Sequence, residues 1–396
     1  MIRIDQVLAT LGYGDAIGHE VLGIQRVLRH AGHESDIFVE TADYRLEPHT
    51  RDYRELIDVG GDTLLLHHFS LGSKASRTAF ALPHRMALIY HNITPPEYFV
   101  GVHRSLARQC FRGRRELGAY AGRVDLALAD SEFNRQDLEA LGFPRTAVLP
   151  VVPDFSHLDR HPRRTLAREF DDEWTNVLFV GRMIPNKKIE DLIRFFHAYH
   201  ALFNPRSRLL LVGAQSGFER YVAGLHRLAA ALETEHVHFL GHVSNEELVA
   251  FYDVADVFLC ASEHEGFCVP IVEAFYKQVP VIAYAATAVP ATMDGAGILF
   301  EDKDPAHVAA LIEAVVSNTP LQNAIVAAQL AAIERLRAKD FGGTLLRFID
   351  RIQSCPRAPL PRVAFDFWEQ FDAAQQLEEL RLYRPAIYKA LPPEVP

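Results

Sequence analysis

The chain has 396 residues, with 41 Lys and Arg against 51 Asp and Glu and a formal net charge of -10. Hydrophobic residues make up 49% and charged residues 23%, an ordinary globular balance, and the length points to two domains rather than one core. The acidic balance argues against nucleic-acid binding by the chain as a whole, and no run of about 18 uninterrupted apolar residues offers a membrane span.

In chain order, short apolar runs alternate with longer helical patterns, as in βαβ units with parallel sheets. The first half offers strands at Ile2–Ala9, Glu34–Val39, Asp62–His68, Arg85–His91, Val124–Ala129 and Ala147–Val151. The start, "MIRIDQVLATLGYGDAIGHE", has too short an apolar run for a signal peptide, and a cytoplasmic protein is expected. Gly12, Gly14 and Gly18 lie between the first strand and first helix, where a Rossmann domain cradles phosphate. Their spacing is not GxGxxG, and a plain turn is the simpler reading. His91 ends a strand beside Asn92 and a stiff Pro pair, a position open to a catalytic or a structural histidine.

The stretch Val102–Arg123 gathers Arg104, Arg108, Arg112, Arg114, Arg115 and Arg123 against a single acid, Glu116. Helical spacing puts Arg104, Arg108, Arg112 and Arg115 on one face, which suits a solvated helix or a dock for an anionic membrane or lipid-diphosphate acceptor. Val151–Trp174 then breaks the rhythm with prolines and dense charge and reads as a linker.

Strands resume at Asn176–Val180, Arg208–Val212, His236–Leu240, Val257–Cys260, Val279–Tyr284 and Gly297–Phe300. After the first of these come Gly181, Arg182 and Lys187, two cations suited to a pyrophosphate. After "ADVFLCAS" comes "EHEGFCVPIVEAF", which sets Glu265 in a loop and Glu273 near a helix start. The amides of Phe267, Cys268 and Val269, beside Gly266, would offer donors to hydroxyls or phosphate. For either acid alone, a solvated loop acid or a dipole-favoured helix-start acid is the simpler reading. Cys110, Cys260, Cys268 and Cys355 show neither CxxC pairing nor zinc spacing, so no metal site is expected. An aromatic, acidic helical tail closes the chain. The expected fold is α/β, two Rossmann-like domains facing a cleft: residues 1–160, 161–355, and a tail at 356–396.

Together these motifs resemble one family. "EHEGFCVPIVEAF" looks like the E-x7-E signature of retaining glycosyltransferases of family 4, and "FVGRMIPNKK" like their GR…K element. "GHVSNEELVAFYDVAD", "PVIAYAATAVPATM" and "GHEVLGIQRVLRHAGHES" add to the likeness, which covers the second half nearly throughout and the first in patches. The resemblance implies a GT-B fold, with the donor held mainly by the C-terminal domain and the last helix crossing back to the first domain. By it, Glu273 would bind the ribose hydroxyls, Glu265 the transferred sugar, and Arg182 and Lys187 the diphosphate, while His91 would approach the donor sugar and Gly14 to Gly18 the phosphates or acceptor. Cys268 departs from the pattern, which has Gly there, and the first loop lacks the usual Gly-Gly pair.

The activity so implied is a retaining, metal-independent hexose transfer from a GDP- or UDP-hexose, with a lean to mannose. The acceptor would be a glycan or lipid-linked molecule in surface polysaccharide or glycolipid synthesis, reached by a cytoplasmic protein peripheral at the inner face of the membrane. No cofactor is expected beyond the nucleotide-sugar substrate. An epimerase or disaccharide synthase on the same fold, and a non-catalytic nucleotide-sugar-binding subunit, are the alternatives.

Overall fold

The computed structural model describes residues 2–14, 16–151, 154–361 and 366–391. The chain divides into two compact units, Met1–Pro153 with Asp340–Pro396, and Asp154–Lys339.

Unit 1 runs β1 (Ile4–Leu11), α1 (Ala16–His30), β2 (Ile37–Ala42), β3 (Arg51–Asp52), β4 (Leu64–Phe69), α2 (Lys74–Ala81) and β5 (Arg85–Tyr90). It continues with α3 (Arg104–Ala119), β6 (Leu126–Ala129), α4 (Glu132–Ala140) and β7 (Thr146–Val148). Its seven strands are all parallel in the order β3-β2-β1-β4-β5-β6-β7, so the winding reverses between β1 and β4. Strand β4, LLLHHF, is buried at every residue, as a central strand covered on both faces must be.

Unit 2 runs α5 (Arg164–Phe170), β8 (Thr175–Val180), α6 (Ile189–Leu202), β9 (Ser207–Val212), α7 (Glu219–Ala231), β10 (Val237–Gly241) and α8 (Asn245–Asp253). Then come β11 (Val257–Cys260), α9 (Val269–Tyr276), β12 (Val281–Tyr284), α10 (Val289–Met293), β13 (Ile298–Phe300), α11 (Pro305–Val316) and α12 (Thr319–Arg337). Its six parallel strands lie in the order β10-β9-β8-β11-β12-β13, with the reversal between β8 and β11. In such sheets ligands bind beyond the carboxyl ends of the strands at the reversal.

The return of the chain to unit 1 is carried by α13 (Phe341–Ser354), followed by α14 (Gln370–Tyr383) and α15 (Pro385–Lys389). Leu345, Ile349 and Ile352 form the apolar stripe of α13 and are buried with Ile4, Ile24, Leu66 and Ala87. The boundary read from the sequence at 355 therefore falls one helix late, because the stripe of α13 finds its apolar partners in unit 1.

Two further readings change. Val151–Trp174 is not a bare linker from Asp154 onward: Phe155, Leu158 and Phe170 are buried in the unit 2 core, where burial of aromatic surface outweighs the cost of ordering a charged segment. The arginine face of α3 is not an open membrane dock, since α14 lies on it. Arg104 and Arg108 donate to Glu379 at 2.9 and 2.5 Å, and Arg112 lies 2.8 Å from Asp372 and 2.9 Å from Glu116. Burial opposes the charge on Glu379, but Arg108 and Arg104 bring its carboxyl down to about 2. Arg114 pairs with Asp137 at 2.8 Å, and Arg123 is buried, donating to Phe80 O, Leu82 O and His84 O where α2 ends. Arg104, Arg108 and Arg115 of that face stay exposed, the last with its guanidinium over the Phe111 ring. Among the described residues no helix is long and apolar enough to cross a membrane.

Candidate functional site

In unit 2 the loops after β8 and β11, the two strands at the reversal, are stitched together. Asn186 is buried, donates from Nδ2 to His264 O at 3.0 Å, and accepts at its backbone carbonyl from the Glu263 N–H at 2.9 Å. This fixes Lys187 against Glu265, with Nζ 2.5 Å from Oε1 and side chains only 15% and 8% exposed. Burial alone would lower the Lys187 ammonium, but the Glu265 carboxylate, with Cys268 behind it, raises it above its ordinary value. The Glu265 N–H donates to Thr287 Oγ1 at 2.9 Å. Arg182 differs: it is exposed, its guanidinium 5.9 Å from the centre of the Phe218 ring.

Gly181 ends β8 against Gly213, which ends β9. A Cβ on Gly213 would stand 1.8 Å from Gly181 O, so only glycine allows the two backbones to approach there. Gly266 and Phe267 are half-buried, and Phe267 O accepts from Thr292 Oγ1. Cys268 adopts φ 74° and ψ 66° immediately before α9, a left-handed backbone that explains why glycine suits this position. Its thiol is buried and pushed up by the neighbouring Cys260 thiol and by burial. Val269 opens α9, whose first turn holds no acid. Glu273 therefore sits in the second turn, not at the helix start where the dipole would favour it. It is buried, with Oε1 2.9 Å from His157 Nε2 and Oε2 accepting from the Tyr252 hydroxyl at 3.0 Å.

Unit 1 holds a second buried polar cluster, also at strand ends. Gln6 Nε2 donates to Val21 O at 3.0 Å, leaving Gln6 Oε1 to accept from His68 Nε2 at 2.9 Å. Burial first, then His91, keeps the His68 imidazole well below its ordinary pKa, so its Nδ1 is a bare acceptor for His91 Nε2 at 2.9 Å. The two rings stack, and His91 Nδ1 then faces Asp130 Oδ2 at 3.1 Å and Glu20 Oε2 at 3.7 Å. A bare nitrogen cannot sit against two carboxylates, so a proton or another cation must lie among them. Burial, with Asp130 adding and His91 opposing, pushes Glu20 up to about 8, which points to the proton. The ligand atoms of Glu20, His91 and Asp130 lie within 4.8 Å of one another, a set that could also hold a metal ion. His91 is placed as a buried member of this cluster, its side chain 2% exposed. Gly14 turns between β1 and α1 at φ 76° with open space around it, and Gly18 is buried within α1.

Asn186, Thr287, Tyr252 and His157 in unit 2, and Glu20, His68 and Asp130 in unit 1, were not singled out from the sequence. Only Asn186, directly beside Lys187, had a local signal. The others meet their partners across long stretches of chain.

Residues 167–329 match the family model described as glycosyl transferases group 1, in line with the glycosyltransferase likeness of the motifs of unit 2. Curated relatives include an O-antigen chain mannosyltransferase B of Escherichia coli, 28% identical over 246 residues, covering 59% of this chain and 62% of that one. A D-inositol 3-phosphate glycosyltransferase of Geodermatophilus obscurus is 31% identical, with 59% of each chain covered. A GDP-mannose-dependent alpha-mannosyltransferase of Mycolicibacterium smegmatis is 34% identical over 41% of this chain and 40% of its own. The chain thus spans at most about three fifths of these relatives' length. Among solved structures, Anabaena HepE in complex with UDP-glucose superposes with a TM-score of 0.70 at 18% identity, covering 89% of this chain and 100% of that one. A sucrose-phosphate synthase of Thermosynechococcus elongatus gives 0.70 at 17% identity, with 89% and 100% covered. The fold class is GT-B.

Proposed function

We propose that this chain is a retaining, metal-independent glycosyltransferase that moves a hexose from a GDP- or UDP-sugar to a glycan or lipid-linked acceptor, in surface polysaccharide or glycolipid synthesis. The observation that carries this reading is the Lys187–Glu265 pair, fixed at the carboxyl ends of β8 and β11 where the winding of unit 2 reverses. The group 1 match over the same residues supports it, and the mannosyltransferases among the relatives favour mannose.

In this reading Arg182, exposed, and Lys187, held against Glu265, stabilise the diphosphate as it leaves. Glu265 orients the transferred sugar while staying paired to Lys187, so it is a positioning carboxylate and not a glycosidase-style nucleophile. Glu273 takes the ribose hydroxyls. The bond from the anomeric carbon to the diphosphate breaks, the acceptor oxygen bonds to the same face, and a leaving phosphate oxygen takes the acceptor's proton.

A thermal-shift screen with GDP- and UDP-sugars tests the donor, since a ligand at 100 times its Kd adds about 2.7 kcal/mol. One sugar nucleotide should raise Tm clearly above the rest. Transfer from that donor should then persist in EDTA and keep the anomeric configuration by NMR. No shift with any sugar nucleotide, an inverted product, or metal-reversible loss of activity would each refute the corresponding part.

A further inference from the structure

His157 has a chemistry that its neighbours dictate. Its Nδ1 lies 3.1 Å from Asp154 O, a carbonyl that can only accept, so Nδ1 carries a proton. Its Nε2 lies 2.9 Å from Glu273 Oε1, and a carboxylate oxygen also accepts. With both nitrogens donating, the ring is an imidazolium against the Glu273 carboxylate. Burial works against that charge, but the hydrogen bond and charge of Glu273, with Asp154 adding, leave the imidazole above its ordinary pKa.

The segment bearing His157 is anchored on the same helix as Glu273. Phe155 stacks on Tyr276 with ring centres 4.7 Å apart, Asp159 accepts from the Tyr276 hydroxyl, and Leu158 is buried. Tyr276 is one turn beyond Glu273 on α9. On the other side, Tyr252 of α8 donates to Glu273 Oε2 at 3.0 Å, and burial with Glu273 keeps this phenol protonated well above its usual range. A carboxylate has about four acceptor positions, so after His157 and Tyr252 about two are left, the number that a vicinal diol can fill.

We propose that His157 is a positioning residue of the nucleotide site, which fixes the Glu273 carboxylate so that its remaining acceptor positions take the 2′- and 3′-hydroxyls of a ribose. This rests on the reading of Glu273 as the ribose-binding group. His157 thereby sets the preference for ribonucleotides over 2′-deoxyribonucleotides without itself touching the reacting atoms.

The test is calorimetry with GDP, UDP and their 2′-deoxy forms, on the full chain and on His157→Ala, His157→Gln and Glu273→Gln. His157→Ala should weaken the better-bound ribonucleotide about tenfold, the scale of one charged hydrogen bond, and shrink its advantage over the deoxy form. His157→Gln, whose amide still donates, should recover much of both. With the donor sugar, His157→Ala should raise KM and leave kcat at saturation nearly unchanged. Affinity of the wild type should fall as pH rises through the raised His157 pKa, a fall that His157→Gln should lack. Unchanged affinity in a folded His157→Ala, or an equal loss for ribo and deoxy forms, overturns the inference. If Glu273→Gln also binds normally, the donor-site reading falls with it; if Glu273→Gln alone loses binding, only the role of His157 is wrong.

Discussion

The two units each bury charge beyond the carboxyl ends of a parallel sheet, and they neutralise it in different ways. In unit 2 Lys187 meets Glu265, opposite charges held by loops that Asn186 stitches together. In unit 1 two carboxylates, Glu20 and Asp130, converge on His91, and among the described residues Glu20 Oε1 and Asp130 Oδ1 are buried without a hydrogen-bond partner. In the first arrangement Glu265 holds the Lys187 ammonium above its ordinary value, so the lysine keeps its charge over the whole physiological pH range. The second is complete only when a proton or another cation lies among its acids. A site that must hold a diphosphate at constant charge suits the first design, and one that responds to pH the second.

That contrast can be broken most severely at Lys187. Lys187→Met leaves Glu265 buried and unpaired, and should cost about 3–5 kcal/mol in a urea melt, whereas combining it with Glu265→Leu should recover most of the loss. Exposed Arg182, replaced by Ala, should leave the melt unchanged yet lower turnover more than it raises the donor KM. If the Lys187 and Arg182 variants melt alike, the pair is not a buried one.

Gly213→Ala comes next. A Cβ at 1.8 Å from Gly181 O must push apart the ends of β8 and β9, for about 3 kcal/mol or more. Wild-type stability in this variant would show that the strand ends behind Arg182 and Lys187 are free to move.

The unit 1 cluster should reveal itself through pH. Glu20 is raised from 4.5 to about 8, so the folded state holds its proton more tightly than the unfolded state. Its contribution is full below about 4.5 and is lost as pH rises to about 8, with a slope of at most about 1.4 kcal/mol per unit. Glu20→Gln should flatten the decline in Tm between about pH 5 and pH 8, and an unchanged slope would remove Glu20 as the proton holder.

Smaller effects sharpen the comparison. At φ 74°, Cys268→Gly should be more stable than Cys268→Ala by about 1 kcal/mol, since only glycine escapes the left-handed penalty. Equal melts would mean that the backbone relaxes. Glu379→Ala should cost less than about 1 kcal/mol, as its arginine partners are largely exposed. With the arginine face of α3 occupied by α14, the intact chain should co-sediment equally with neutral and anionic liposomes; a strong, salt-sensitive preference for the anionic ones would show that α14 leaves that face.

The sequence was most informative where the cause is local. Short, largely apolar runs such as VFLC and LLLHHF predicted the buried parallel strands, and strands were expected in the right places except for the two-residue β3, too short and polar to show a period. The unit 2 motifs are also local: Glu265 and Glu273 are eight residues apart, Arg182 and Lys187 share one loop, and their residue types show without knowledge of the rest of the fold. Segment Asp154–Trp174 misled because prolines and charges set its average, while three aromatic and aliphatic side chains, Phe155, Leu158 and Phe170, decide its packing. The arginine face of α3 misled because its neutralising acids, Glu379 and Asp372, come from the far end of the chain. Motif and period, then, determined the strands, and they picked out the residue types that the loops of unit 2 bring together. Only the tertiary structure brought Glu20, His68 and Asp130 to His91, and His157 to Glu273, because the strength of a charge contact depends on distance and burial in space, and neither is written in spacing along the chain.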